Sequence, residues 1–331
     1  MKRRDFITLV GGAAAARPFA ARAQQSDRIP RIGVLMNRLA DDPEGQARHA
    51  AFQQALQQLG LSDGRNVRID TRWGEDDIDL ERKYAAELIA LAPDVILASG
   101  TLSVAALRRI NRALPIIFVG VTDPVGAGFV DSLARPGGNA TGFMIYEYSF
   151  GGKRLELLKQ IAPSVTRAAI LRDPENSAGG AEFGAIQAAA QALRIEVSPI
   201  DSRGDAGRIE RAITAFARAP NGGLILLPNA SVAKVTRDLI INLAAQYKLP
   251  AVYPFRYLVT GGGLVSLGPD VVDQCRSAAG YVDRVLKGEK PADLPVQAPT
   301  RYEMVINLRT AKALNMAVPP ALLAQASEVI E

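Results

Sequence analysis

From Arg31 onward, short runs rich in Val and Ile alternate with longer amphipathic stretches rich in Ala, Leu, Gln and Arg, and this alternation narrows the fold more than any other feature of the chain. Short apolar runs bounded by turn residues are the mark of strands buried on both faces. Stretches of ten or more residues with a 3.6-residue period are helices packed on one side. Strand and helix in regular succession call for parallel sheets covered by helices. The pattern predicts strands at Ile32 to Met36, Val67 to Trp73, Val95 to Ser99 and Ile116 to Val121, with helices at Gly45 to Leu59, Leu80 to Leu91 and Leu102 to Asn111. After a turn-rich crossing a second series begins. It predicts helices at Lys153 to Ile161, Gly179 to Leu193, Ala206 to Ala217 and Ala233 to Tyr247, and strands at Arg167 to Arg172, Glu196 to Ile200, Gly223 to Leu227 and Ala251 to Tyr253. The two halves repeat one architecture.

Past Phe255 the chain runs through Gly261-Gly262-Gly263 into a predicted strand at Leu264 to Leu267, a helix at Val271 to Leu286, a Pro-containing stretch, a strand at Tyr302 to Ile306, a short helix and a tail. These extra segments predict that the chain recrosses between its halves. The expected fold is α/β, with two doubly wound Rossmann-like lobes joined by a multi-crossover hinge. Lobe 1 is expected to comprise residues 30–143 plus 258–295, and lobe 2 residues 144–257 plus 296–331. A hydrophobic content of 48% over about 300 residues is enough for two separate cores. Open α/β sheets bind ligands at the carboxyl ends of their strands, so the cleft between the lobes is the predicted site.

The first residues, M-K-R-R-D-F-I-T-L-V-G-G-A-A-A-A, are a cationic head and an apolar stretch that Arg17 interrupts before it could span a bilayer. Arg3 and Arg4, followed by Phe6 and Ile7, have twin-arginine spacing, and Ala21-Arg22-Ala23 offers a small-x-small cleavage site. Residues 1–23 are thus expected to be a signal peptide without a lipid-anchoring Cys, and the mature protein to be soluble in the periplasm. Cleavage would remove five of the 39 basic and one of the 34 acidic residues, lowering the net charge from +5 to +1. The basic character therefore belongs mostly to the leader, and no nucleic-acid partner is expected. A lone Cys275 and a lone His49 leave no disulfide, thiolate cluster or His pair, so no metal or cofactor is expected either. No G-x-G-x-x-G opens the first βα unit, and neither G-x-x-x-x-G-K-[ST] nor G-x-S-x-G occurs. A Rossmann-like enzyme is the remote alternative.

Candidate ligand contacts follow from the strand ends. Met36 and Asn37 end the first strand. Thr101 and Ser103 open a helix after the third, where free N–H groups and the dipole suit a carboxylate, although Thr101 would equally serve as a cap. Thr122 and Asp123 end the fourth strand, where Asp123 is expected to brace the turn more than to bind an amine. Asp173 ends a second-half strand in the run Arg172-Asp173-Pro174, with Asn176 and Ser177 close behind. Seven of the chain's aromatic rings fall in two short stretches, Phe143 to Phe150 and Tyr253 to Tyr257. Of these, Tyr146, Tyr148 and Tyr253 are the expected stacking partners of a planar ligand.

Three motifs carry a family resemblance: P-I-I-F-V-G-V-T-D-P-V-G-A-G-F-V-D-S-L-A-R-P-G-G-N-A-T-G-F from Pro115 to Phe143, L-P-A-V-Y-P-F at Leu249 to Phe255, and G-G-L-V-S-L-G-P-D at Gly262 to Asp270. With them the chain resembles the ABC-transporter substrate-binding proteins of the type I periplasmic fold, over nearly all of its mature length. The resemblance implies a monomeric periplasmic protein that closes on a small carboxylate-bearing molecule, an amino acid or an aromatic or organic acid, and delivers it to ABC permease subunits in the inner membrane. A periplasmic sensor subunit handing its ligand to a membrane receptor shares the fold and is the alternative. One departure bears on the ligand. Where amino-acid-binding members carry an Asp, this chain has Asn229, and a buried ammonium needs a charged or strongly polar partner. Asp123 or Asp173 would have to supply it.

Overall fold

The computed structural model describes residues 28–145, 148, 150–174, 177–202, 206–228 and 234–331. The expected signal peptide, Tyr146, Asn176 and Asn229 lie outside these residues.

The first lobe is built on β1 (Arg31–Met36), β2 (Arg68–Trp73), β3 (Val95–Ser99), β4 (Ile116–Val121) and β5 (Ala140–Met144), with α1 (Pro43–Gln58), α2 (Ile78–Ala90) and α3 (Thr101–Ile110) between them. Every pairing in the sheet β2-β1-β3-β4-β5 is parallel. Because side chains alternate along a strand, β1 sends Ile32, Val34 and Met36 to one face and Leu35 to the other. The first face packs on Phe52 and Leu56 of α1, the second on Leu88 of α2 and Val104 and Leu107 of α3.

The second lobe runs through α4 (Phe150–Ile161), β6 (Arg167–Arg172), α5 (Ser177–Leu193), β7 (Glu196–Asp201), α6 (Ala206–Ala217), β8 (Gly222–Leu226), α7 (Lys234–Gln246), β9 (Ala251–Tyr253), α8 (Arg256–Thr260) and β10 (Val265–Pro269). The chain then recrosses to place α9 (Val271–Leu286) and a 3₁₀ turn (Pro291–Asp293) on the first lobe, where Cys275, Ala278 and Val282 of α9 complete the core beside α1. A third crossing, through residues 298–301, returns it to the second lobe for β11 (Tyr302–Asn307), α10 (Leu308–Ala313), α11 (Pro320–Gln325) and β12 (Glu328–Ile330). The second sheet has the order β12-β11-β10-β9-β8-β6-β7, with β10 and β11 antiparallel and the other pairs parallel. Gln274 ties the first two crossings together: its Nε2 donates to the Met144 carbonyl at 2.8 Å. Among the described residues no helix is long and apolar enough to cross a membrane.

The two-lobed α/β architecture and its recrossing agree with the sequence expectation. The expected boundary between 257 and 258 does not. Residues 258–295 divide at Asp270: β10 hydrogen-bonds with β9 and β11 in the second sheet, and only α9 and the 3₁₀ turn join the first lobe. Two strands were not expected. β5 lies within the predicted crossing region, and β12 closes the tail against β11.

Candidate functional site

Between the lobes lies a cleft of ≈ 560 Å³, within the span of small-molecule pockets. Its walls are the carboxyl ends of β1, β3 and β4 on one side and of β6, β8 and β9 on the other.

The first-lobe wall is a hydrogen-bonded polar array. Ser99 Oγ donates to Asn37 Oδ1 at 2.8 Å, and Asn37 Nδ2 donates to Asp76 Oδ1 at 3.0 Å. Glu75 and Asp76 both have left-handed backbones, φ 60° and 55°, in the turn that brings the Asp76 carboxylate to Asn37. Burial raises the Asp76 pKa above the ordinary carboxylate value, against the pull of Arg38. Gly100 precedes α3 at φ +87°, and a Cβ there would come within 2.9 Å of Asn37 Nδ2, so glycine is what lets Asn37 lie against the helix start. The first-turn N–H groups of α3 have no intrahelical partners, as at any helix start, and Gly100 has no side chain to cap them, which leaves them beside Thr101 at the cleft.

The second-lobe wall is more apolar. Leu226, Leu227, Pro228, Pro254, Phe255 and Tyr257 line it, together with Asp173 and Arg237. Phe255 and Tyr257 stack at 5.7 Å with planes 15° apart, and the Arg237 guanidinium lies 5.7 Å from the Tyr257 centroid. Phe129 faces the same space from the first lobe.

Of the residues expected from sequence, Asn37, Thr101, Thr122 and Asp173 meet in this cleft. Met36, Ser103 and Tyr253 are corrections. Met36 is fully buried against α1 in the first core, because the last strand residue still points into the sheet's packed face. Ser103 is the third residue of α3 and fully buried, and its Oγ turns back to donate to the Ser99 carbonyl at 2.6 Å. Tyr253 ends β9 inside the second core, and burial raises its phenol's pKa. Its cleft position is taken by Phe255 and Tyr257, which lie past the strand end. Asp123 braces its turn by accepting from Gly126 N at 2.7 Å and pairs with the Tyr148 hydroxyl, so both sit at the crossing and not in the cleft lining. Arg38, Asp76 and Arg237 were missed. Arg38 directly follows Asn37, and extending the strand-end rule by one residue would have found it.

Behind the first-lobe wall, Glu81 of α2 has zero exposure; the Ser103 hydroxyl bears on its carboxylate but donates to the Ser99 carbonyl. Burial, with Asp76 and Asp77 nearby, pushes its pKa up to about 8. The carboxyl group fits only because residue 74 is glycine: a Cβ there would stand 2.3 Å from its carbon.

Comparison with known proteins bears on what such a cleft holds. The profile of the family described as ABC transporter substrate binding protein matches residues 36–330. A tyrosine-binding protein of Clostridioides difficile is 25% identical over 293 residues, covering 88% of this chain and 84% of that protein. The crystal structure of an ABC domain from Streptococcus pneumonia in complex with L-Trp is 25% identical with a TM-score of 0.83, covering 92% of this chain and all of that one. A conserved domain protein of Vibrio cholerae is 26% identical with a TM-score of 0.82, covering 91% of this chain and all of that one.

Proposed function

The chain belongs to the ABC transporter substrate-binding protein family, and on that premise we propose that it captures a small carboxylate-bearing molecule, best an amino acid with an aromatic side chain, in its inter-lobe cleft for import by an ABC permease. As in its relatives, the task is binding and not catalysis. The observation that carries the ligand class is the pairing of two unlike groups across one cleft, the uncapped N-terminus of α3 with Thr101 on one lobe and Asp173 on the other. A ligand carboxylate receives N–H groups and the positive end of the helix dipole at α3. Asp173 offers an ammonium the negative partner that Asn229 does not. Phe129, Phe255 and Tyr257 give the side chain an apolar, ring-lined space, where each ring pair is worth about 0.5–1.5 kcal/mol beyond buried area. The proteins named for tyrosine and crystallised with L-Trp fit this reading. Binding on both walls favours the closed arrangement of the lobes, the form a permease would recognise. Residues 1–23 would direct the folded protein to the periplasm.

Calorimetric titration of the purified mature protein tests the reading, with L-Tyr, L-Trp and L-Phe set beside their deaminated acids and neutral sugars. Tight binding of the amino acids is expected, with weaker binding of the deaminated acids. Binding of neutral sugars alone would overturn the carboxylate assignment, and turnover of any ligand would overturn the binding function.

A further inference from the structure

Arg38 leaves the first-lobe wall and sets its guanidinium carbon 4.1 Å from the ring centroid of Tyr257 on the second lobe. On its own lobe the side chain is held at three points. Its stem lies against Gly45, where a Cβ would come within 2.9 Å of Arg38 Cβ and 3.0 Å of Trp73. Asp42 lies 3.7 Å from its Nη1, and Asp76, fixed by Asn37, acts on it electrostatically. Tyr257 is held just as firmly. It belongs to α8, packs against the second core, stacks on Phe255 and carries Arg237 at 5.7 Å. A cation and a ring, each positioned by its own lobe, thus meet where the two lobes approach.

We propose that the Arg38–Tyr257 contact is a latch that biases the hinge toward closure before any ligand arrives, with Arg38 a positioning residue for the cleft and not itself the ligand's anchor. Opening the lobes removes the ring from Arg38 but leaves Asp42 and Asp76, which belong to the same lobe. The cation is therefore not stranded in the open form, and the latch shifts an equilibrium without locking it. A partly desolvated cation–π contact changes such a ratio by roughly 5- to 30-fold. If the cleft is the ligand site proposed above, on which this consequence rests, apparent affinity scales with the closed fraction, so the latch tightens binding by the same route.

Small-angle scattering of the ligand-free mature protein tests the latch without reference to any ligand, so a wrong ligand assignment leaves the result intact. The wild-type radius of gyration is expected to lie nearer the closed arrangement than that of a variant lacking the contact. Arg38→Gln and Tyr257→Leu should each increase it, the double variant should increase it no further, and Tyr257→Phe, which keeps the ring but loses the hydroxyl that also bears on Arg38, should open the lobes less than Tyr257→Leu. Thermal unfolding of each variant confirms that it is folded. The proposal is overturned if ligand-free wild type is as expanded as Arg38→Gln, if both single variants stay compact, or if Tyr257→Phe opens as far as Tyr257→Leu.

Discussion

The two lobes share a plan and differ in how they meet the ligand. The first is wholly parallel, and its cleft wall is a chain of hydrogen bonds from Ser99 through Asn37 to Asp76. The second adds the antiparallel β11 to a parallel sheet, and its wall is made of rings and aliphatic side chains around Asp173 and Arg237. The first lobe presents fixed polar geometry, while the second presents shape and stacking. Polar groups must be placed before the ligand arrives because each unpaired one is costly once water is excluded, whereas apolar surface works wherever it can be brought into contact.

The lobes also hide ionisable groups differently, and this gives the largest expected effect. In the second lobe Arg154 and Glu182 are both fully buried, with Arg154 Nη1 donating to Glu182 at 2.5 Å and Nε to the Leu267 carbonyl at 3.0 Å. Arg154→Met removes the guanidinium that donates to the buried Glu182 and should cost about 3–5 kcal/mol in denaturant unfolding. It should also split the transition, the second lobe melting first. A single unshifted transition would mean that the pair does not hold α4 to α5.

In the first lobe the buried acid Glu81 has no cation beside it among the described residues. Its pKa is about 8 folded against an ordinary 4.5, so between those values the folded chain keeps a proton that the unfolded chain has released. Stability should fall as pH rises through that window and level off above it. Glu81→Gln should remove the slope and stabilise the protein by up to about 4 kcal/mol at pH 9, with little change at pH 4. Glu303 of β11, raised to about 7 by burial and by Asp270, gives the second lobe a slope of the same sign. Glu303→Gln should remove a smaller part, because this side chain is only partly buried. Thermal unfolding from pH 4 to 9 checks both. The smallest effect is expected at the crossing: Asp123→Ala should lose about 1 kcal/mol of stability with ligand affinity unchanged, since its carboxylate serves Gly126 and Tyr148.

Most strands were legible because runs such as Val95 to Ser99 are apolar on both faces and short. β5 was not, because its sequence Ala-Thr-Gly-Phe-Met reads as a turn. Its register depends on Gly142 at φ +152°, where a Cβ would meet the Phe118 carbonyl oxygen at 2.0 Å. The lobe of β10 was misassigned for a related reason: its place is set by pairing between β9 and β11, and the run Val265 to Pro269 does not itself say which sheet it joins. In the site, the strand-end rule reached Asn37, Thr101, Thr122 and Asp173. It failed at Met36 and Tyr253, where the last strand residue still faces a core, and it gave no hint of Arg38 against Tyr257, which only the folded lobes bring together.

The central claim is that a ligand carboxylate sits at the start of α3 while Asp173 holds its amine from the opposite lobe. Titration of L-Tyr or L-Trp into wild type, Thr101→Val and Asp173→Asn, each repeated with the matching deaminated acid, measures it most directly. Each variant is expected to weaken amino-acid binding about 10- to 100-fold, the value of a hydrogen bond to a charged group. Asp173→Asn should spare the deaminated acid, while Thr101→Val should weaken both ligands. Unchanged amino-acid affinity in both variants would contradict the account.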